Sequence, residues 1–156
     1  MINRTILKDL QEALAVFPVV LLCGARQVGK STLVLSLCEH YITLDDITQL
    51  DGARADPKRF IQDLPRPIVI DEIQKAPELL PAIKEEVDRK RKNGDFLLTG
   101  SANLLGSKKG AESLAGRMGV MELLPLSCRE IANRTDANLA DDLFSAEWPN
   151  NKIPQS

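Results

Sequence analysis

The chain has 156 residues, enough for one well-buried core and too few for two full domains. Twenty lysines and arginines against 22 acids leave a formal charge of -2, so charge indicates neither nucleic acid nor an acidic membrane surface as a partner. Three cysteines (Cys23, Cys38, Cys128) without CxxC spacing, and the single histidine His40, point to a reducing, cytoplasmic setting with no disulfide and no structural zinc. The start, "MINRTILKDLQEALAVF", carries acids and lacks a long apolar leader, and the apolar run "VVLLC" is far short of a membrane span.

In chain order, Ile6, Leu7, Leu10, Leu14 and Phe17 recur at helical spacing, with Asn3 or Thr5 as N-cap and Pro18 as the stop. "VVLLC" at Val19 reads as a strand. Leu33, Val34, Leu37 and Cys38 form a helical stripe ending at His40, which is placed there as a partner of the helix dipole. "YITL" from Tyr41 reads as a peripheral strand, with Asp45 and Asp46 behind it as helix-capping residues. Phe60, Ile61 and Leu64 make a second stripe behind Asp56 as cap and Pro57 as first residue. "IVI" at Ile68 is a strand, and Leu79, Leu80, Ile83 and Val87 make a third stripe with Pro81 in its first turn, running to Asn93-Gly94. "FLL" at Phe96 is another strand and "VMELL" from Val120 a peripheral one. Strands apolar on both faces belong in the middle of a parallel sheet, so the alternation predicts an α/β layered fold with helices on both faces. After Ile131 the pattern weakens to a short helix around 139–144 and a polar, proline-punctuated tail.

The residues Gly24, Ala25, Arg26, Gln27, Val28, Gly29, Lys30 and Ser31 spell GxxxxGK[ST] between a buried strand and a helix, with Thr32 following. Two glycines let backbone N–H groups wrap a polyphosphate, and the helix adds the positive end of its dipole. Lys30 is placed to reach the β and γ phosphates and Ser31 to put its hydroxyl on Mg²⁺. The bland alternative, a glycine-rich turn with a surface lysine, does not require that strand and helix.

"PIVIDEIQKAP" sets two acids directly after a buried strand, at the end of an α/β sheet where ligands bind. Asp71 is the candidate for the Mg²⁺ shell, and Glu72 for orienting and deprotonating a water that attacks the γ phosphate. A GTP-binding switch would show DxxG here. "NRTD" at Asn133 lacks the lysine of a guanine-reading NKxD and has no buried strand before it, so guanine specificity is not expected.

The phosphate loop, "VIDEIQKAPELLPAIKEEVD", "FLLTGSANLL" and "SLAGRMGVMELLPLSCREI", in this order, resemble the AAA-type P-loop ATPases of bacteria and archaea. Those longer chains join an N-terminal ATPase domain to a C-terminal domain of unknown function. The resemblance covers residues 1–131. It implies a three-layer P-loop fold with a five-stranded, mostly parallel sheet in additional-strand order, the "FLLTG" strand lying between the strands that carry Lys30 and Asp71. It further implies ATP and Mg²⁺ as ligands, Thr99 or Ser101 as the first sensor of the γ phosphate, and Arg117 as an arginine finger supplied to a neighbouring copy. Residues 132–156 are then the tail where a second domain begins in longer relatives, and turnover by this chain alone is expected to be weak.

Other signals are assigned plainer roles. "KEEVDRKRK", from Lys84 to Lys92, reads as a solvated helix end whose bases offset the macrodipole, and Lys108 and Lys109 as loop residues. A small-molecule kinase would need an arginine-rich lid and an acceptor pocket, neither legible here. The second functional reading is a nucleotide-sensing module that binds ATP, scarcely hydrolyses it and signals to a protein client.

Overall fold

Three strands with every residue buried, β1 (Val19–Cys23), β3 (Ile68–Asp71) and β4 (Phe96–Gly100), form the middle of the sheet in the computed structural model, which describes residues 4–101, 114–127 and Glu130. The flanking strands β2 (His40–Thr43) and β5 (Met118–Glu122) are less buried, as edge strands are. The order is β2-β3-β4-β1-β5 and every pairing is parallel, with β4 between the strands that lead to Lys30 and Asp71. This is the additional-strand order of the P-loop fold.

Alternation along these strands splits the core into two layers. Val19, Leu21, Ile68, Ile70, Phe96 and Leu98 point to one face, where they meet α3 (Ile47–Ala55), α4 (Pro57–Asp63) and α5 (Leu79–Lys90). Val20, Leu22, Val69 and Leu97 point to the other, packed on α1 (Ile6–Val16) through Leu10 and on α2 (Lys30–Val34) through Leu33 and Val34. Each fully buried aliphatic side chain contributes about 1.5–3 kcal/mol of transfer free energy, which is why both faces of the sheet must be covered. Asp46 caps α3, accepting from the N–H groups of Thr48 and Gln49, and Asp56 caps α4, accepting from Arg59 N at 3.0 Å.

Four local features differ from the sequence expectations. The stripe after the phosphate loop is helical only to Val34; Ser36 Oγ donates to Leu33 O at 2.6 Å, and Leu37 and Cys38 reach the core from a turn. His40 therefore opens β2 rather than closing a helix. Helix α5 ends at Lys90, with Arg91 in the left-handed region, short of Asn93-Gly94. Glu86 lies within the supposed solvated face yet is 3% exposed, clamped by Arg89 at 2.7 Å and Lys90 at 2.9 Å. Burial alone would raise its carboxyl, but the two cations outweigh that and hold it below the usual glutamate range.

These elements belong to one compact unit, Arg4–Pro125. Beyond it, Ser127 and Glu130 exchange hydrogen bonds at 2.8 and 3.3 Å in the S-x-x-E manner of a helix start. Lys108, Lys109, the 139–144 helix, "NRTD" and the tail lie outside the described residues. Among the described residues no helix is long and apolar enough to cross a membrane.

Candidate functional site

The phosphate loop leaves β1 at Gly24, whose φ of +150° and position beside β5 both demand glycine, since a Cβ there would sit 2.4 Å from the Leu123 carbonyl oxygen. Gln27 and Gly29 are also at positive φ, turning the chain back into α2. Lys30 is 8% exposed, and its ammonium donates inward, to Gly24 O at 2.9 Å and Ala25 O at 2.8 Å. Among the described residues no carboxylate pairs with it. Arg4 braces the loop from outside: its guanidinium donates to Val28 O at 2.8 Å and to Leu124 O at 2.6 Å, tying the loop to the exit of β5.

Asp71 ends β3 at 4% exposure and is surrounded by hydroxyls. Its Oδ2 accepts from Ser31 Oγ at 3.0 Å and from the Tyr41 phenol at 2.6 Å, while Oδ1 accepts from Thr99 Oγ1. Thr99, fully buried, also accepts from Glu72 N at 3.2 Å, so one hydroxyl ties the two acids together across β3 and β4. Burial, reinforced by the Asp71 carboxylate, pushes the Tyr41 phenol up to about 12, so it remains a protonated donor at neutral pH.

Glu72 follows in the left-handed region, at φ 60° and ψ 41°, a conformation that is costly for a residue with a Cβ and that turns the chain abruptly off the strand. Its carboxylate accepts from the Gln74 amide, whose oxygen in turn accepts from Ser101 N at 3.3 Å. Gly100 allows this approach, because a Cβ there would lie 2.7 Å from Gln74 Oε1. Lys75 bonds Asp45 at 2.5 Å over the same opening.

Together these residues frame an open cleft of about 720 Å³, lined by Arg26, Gln27, Lys30, Ser31, Glu72 and Lys75 among others. Gly29 and Thr32 also line it, and an adjoining hollow of about 470 Å³ reaches Gly24, Ala25, Gln74, Ser101 and Glu122. Ser31 lines the cleft and touches the buried Asp71 behind it, hard oxygens that suit Mg²⁺, and a buried ammonium with no carboxylate partner among the described residues suits a polyphosphate. Val28 differs from its neighbours in the loop: its side chain packs into the core and its carbonyl serves Arg4.

Arg117 is not brought to this cleft. It precedes β5 at the strand-start end of the sheet, where its carbonyl accepts from Val19 N. A five-residue strand, roughly 16 Å at about 3.3 Å per residue, separates it from the loop end. There its guanidinium forms a two-pronged pair with Asp88, at 2.5 and 3.1 Å, and this hydrogen bonding holds the Asp88 carboxyl below the usual aspartate range. Sequence reasoning missed Arg4, Tyr41 and Gln74: no motif contains the first two, and the third served there only to distinguish "DEIQ" from DxxG.

Two uncharacterized proteins, from Mycobacterium bovis and Mycobacterium tuberculosis, are each 40% identical to this chain over 129 residues, covering 80% of it. The chain spans 29% of the length of these relatives. Among solved structures, Saccharomyces cerevisiae RIF2 superposes with a TM-score of 0.40 at 16% identity, over 81% of this chain and 57% of that one, a likeness too loose to support the fold assignment. The AAA domain family matches residues 16–132, which include the phosphate loop, both acids, the β4 end and Arg117; the chain belongs to the AAA domain family.

Proposed function

We propose that this chain binds ATP with Mg²⁺ over its phosphate loop and carries the chemistry to hydrolyse it, with a neighbouring copy completing the site. The supporting observation is the buried Lys30 ammonium, satisfied among the described residues by carbonyls of its own loop, at a cleft lined by Ser31, whose hydroxyl already touches the buried Asp71. A triphosphate offers Lys30 anionic acceptors in place of two neutral ones, and loop N–H groups add to the cradle. Bound Mg²⁺ would neutralise phosphate charge, with Ser31 and Asp71 as its protein partners. Glu72 takes the proton of a water whose oxygen attacks the γ phosphorus while the bond to the departing ADP breaks. Thr99, its hydroxyl committed to Asp71 and Glu72, positions both acids; Ser101, on the adjoining hollow, is the better candidate to contact the γ phosphate. Arg117 is too far away to act on its own chain's nucleotide, so its reading as a finger requires a homo-oligomer in which it enters a neighbour's site, a contribution of about 10³ to 10⁵ in rate.

A second reading has its own support. Gln74 engages the Glu72 carboxylate and Asp88 engages Arg117, so a lone chain has both catalytic groups occupied. Such a chain would serve as a nucleotide-dependent module for a protein client. Phosphate release by wild type and Glu72→Gln, with ATP binding verified in both, separates the two. A clear loss of turnover in Glu72→Gln supports the hydrolase; equal negligible rates support the module.

A further inference from the structure

Tyr41 lies on the edge strand β2, outside every nucleotide-binding motif of the sequence. Its ring packs against the α1/α2 core layer, a role phenylalanine would fill as well. Its hydroxyl does something more specific, lying 2.6 Å from Asp71 Oδ2, the same oxygen that Ser31 Oγ approaches to 3.0 Å. If the nucleotide reading above holds, Ser31 Oγ must be shared between Asp71 and the cation, while the single proton of the Tyr41 hydroxyl goes to Asp71, with the Ser31 and Thr43 hydroxyls beside it. A magnesium shell tolerates little error in the placement of its carboxylate, so a fixed donor on Oδ2 has value there. The donor is also neutral. A lysine at this position would pair with Asp71 and compete with the cation; a phenol orients the carboxylate without cancelling its charge.

We propose that Tyr41 is a positioning residue for the divalent-cation half of the site, holding Asp71 Oδ2 in place and so setting how strongly Mg²⁺ enhances nucleotide binding. The consequence is selective: removing the hydroxyl weakens the cation-dependent part of nucleotide affinity and spares the cation-independent part.

The test uses the full chain and Tyr41→Phe, with ATP affinity measured by calorimetry in EDTA and in Mg²⁺. The affinity in EDTA should stay within about twofold of wild type, and the gain produced by Mg²⁺ should shrink by about tenfold, the effect of one lost hydrogen bond to a charged acceptor. An undiminished gain, or an equal loss with and without Mg²⁺, overturns the proposal. A second readout needs no variant, because Tyr41 is the single tyrosine of the chain. The ultraviolet Raman tyrosine doublet of wild type should report a strong hydrogen-bond donor without ligand and with Mg²⁺ and ATP. A doublet typical of a water-exposed phenol in either state overturns it. Wild type that binds no ATP while its doublet reports the donor overturns the nucleotide reading, and the magnesium role with it, while the Tyr41–Asp71 bond stands.

Discussion

Thr99 offers a measurement of how tightly the two acids are coupled. Valine at this position keeps the volume and removes the fully buried Thr99 hydroxyl, which donates to Asp71 Oδ1 and accepts from the half-buried Glu72 N. Losing a bond to a carboxylate costs about 1.5–3 kcal/mol, and a stranded N–H about 1–3 kcal/mol. The extra buried methyl returns about 1 kcal/mol, so Thr99→Val should destabilise the fold by about 1.5–5 kcal/mol. Thr99→Ser keeps both hydrogen bonds and loses one methyl, a cost of about 1 kcal/mol. Urea unfolding followed by circular dichroism resolves the two, since a slope of about 2 kcal/mol per molar urea translates the valine loss into a midpoint drop of about 1–2.5 M. Equal stability of the two variants, within about 0.5 kcal/mol, would refute the bridging role of the hydroxyl.

Three further outcomes follow from the geometry. Gly24→Ala, whose Cβ meets the Leu123 carbonyl at 2.4 Å, should cost about 2–5 kcal/mol, whereas Gly116→Ala, with nothing among the described residues within 4 Å, should cost only left-handed strain of about 1–2 kcal/mol; equal thermal shifts would contradict this. Because Glu86 is held below its usual range, its contribution should be complete above pH 4.5 and lost as pH falls through the lowered value. The stability gap between wild type and Glu86→Gln should therefore be flat from neutral pH down to that point and shrink below it; a gap that widens in acid would reverse the assignment. Mixing Arg117→Ala with Glu72→Gln should give more phosphate release than either alone, because a mixed assembly contains some sites with both groups, and no gain would exclude action in trans.

The fold was legible where burial is complete. Unbroken apolar runs at Val19, Ile68 and Phe96 announced β1, β3 and β4 because a parallel sheet covered on both faces has no polar face to display. Helix α3 gave no comparable signal, since Gly52 and a polar composition leave it without an apolar stripe; only its cap, Asp46, was visible. Leu37 and Cys38 were correctly placed toward the core and wrongly placed in a helix, since an apolar contact constrains where a side chain goes more than which backbone delivers it. The strand order came from family resemblance, because spacing cannot say which parallel strands become neighbours.

The site divides in the same way. The phosphate loop and the Asp71-Glu72 pair are contiguous in sequence and chemically distinctive. Tyr41, Thr99 and Gln74 acquire meaning only through the strand ends and turn that bring them to those acids: Tyr41 lies 30 residues from Asp71, and Thr99 lies 28. Arg4 spans a longer separation still, joining the Val28 carbonyl of the loop, 24 residues away, to the Leu124 carbonyl, 120 residues away. Sequence left Thr99 and Ser101 equivalent as sensors, whereas burial of the first and the cleft position of the second give them different surroundings.

The central claim is that the loop from Gly24 to Ser31 holds the phosphates of ATP. Calorimetric titration of the full chain with ATP, with and without Mg²⁺, tests it most directly when wild type and Lys30→Ala are run side by side. Saturable one-to-one binding that tightens with Mg²⁺ and disappears in Lys30→Ala is the predicted result. No binding by wild type, or unchanged binding by Lys30→Ala, would contradict it.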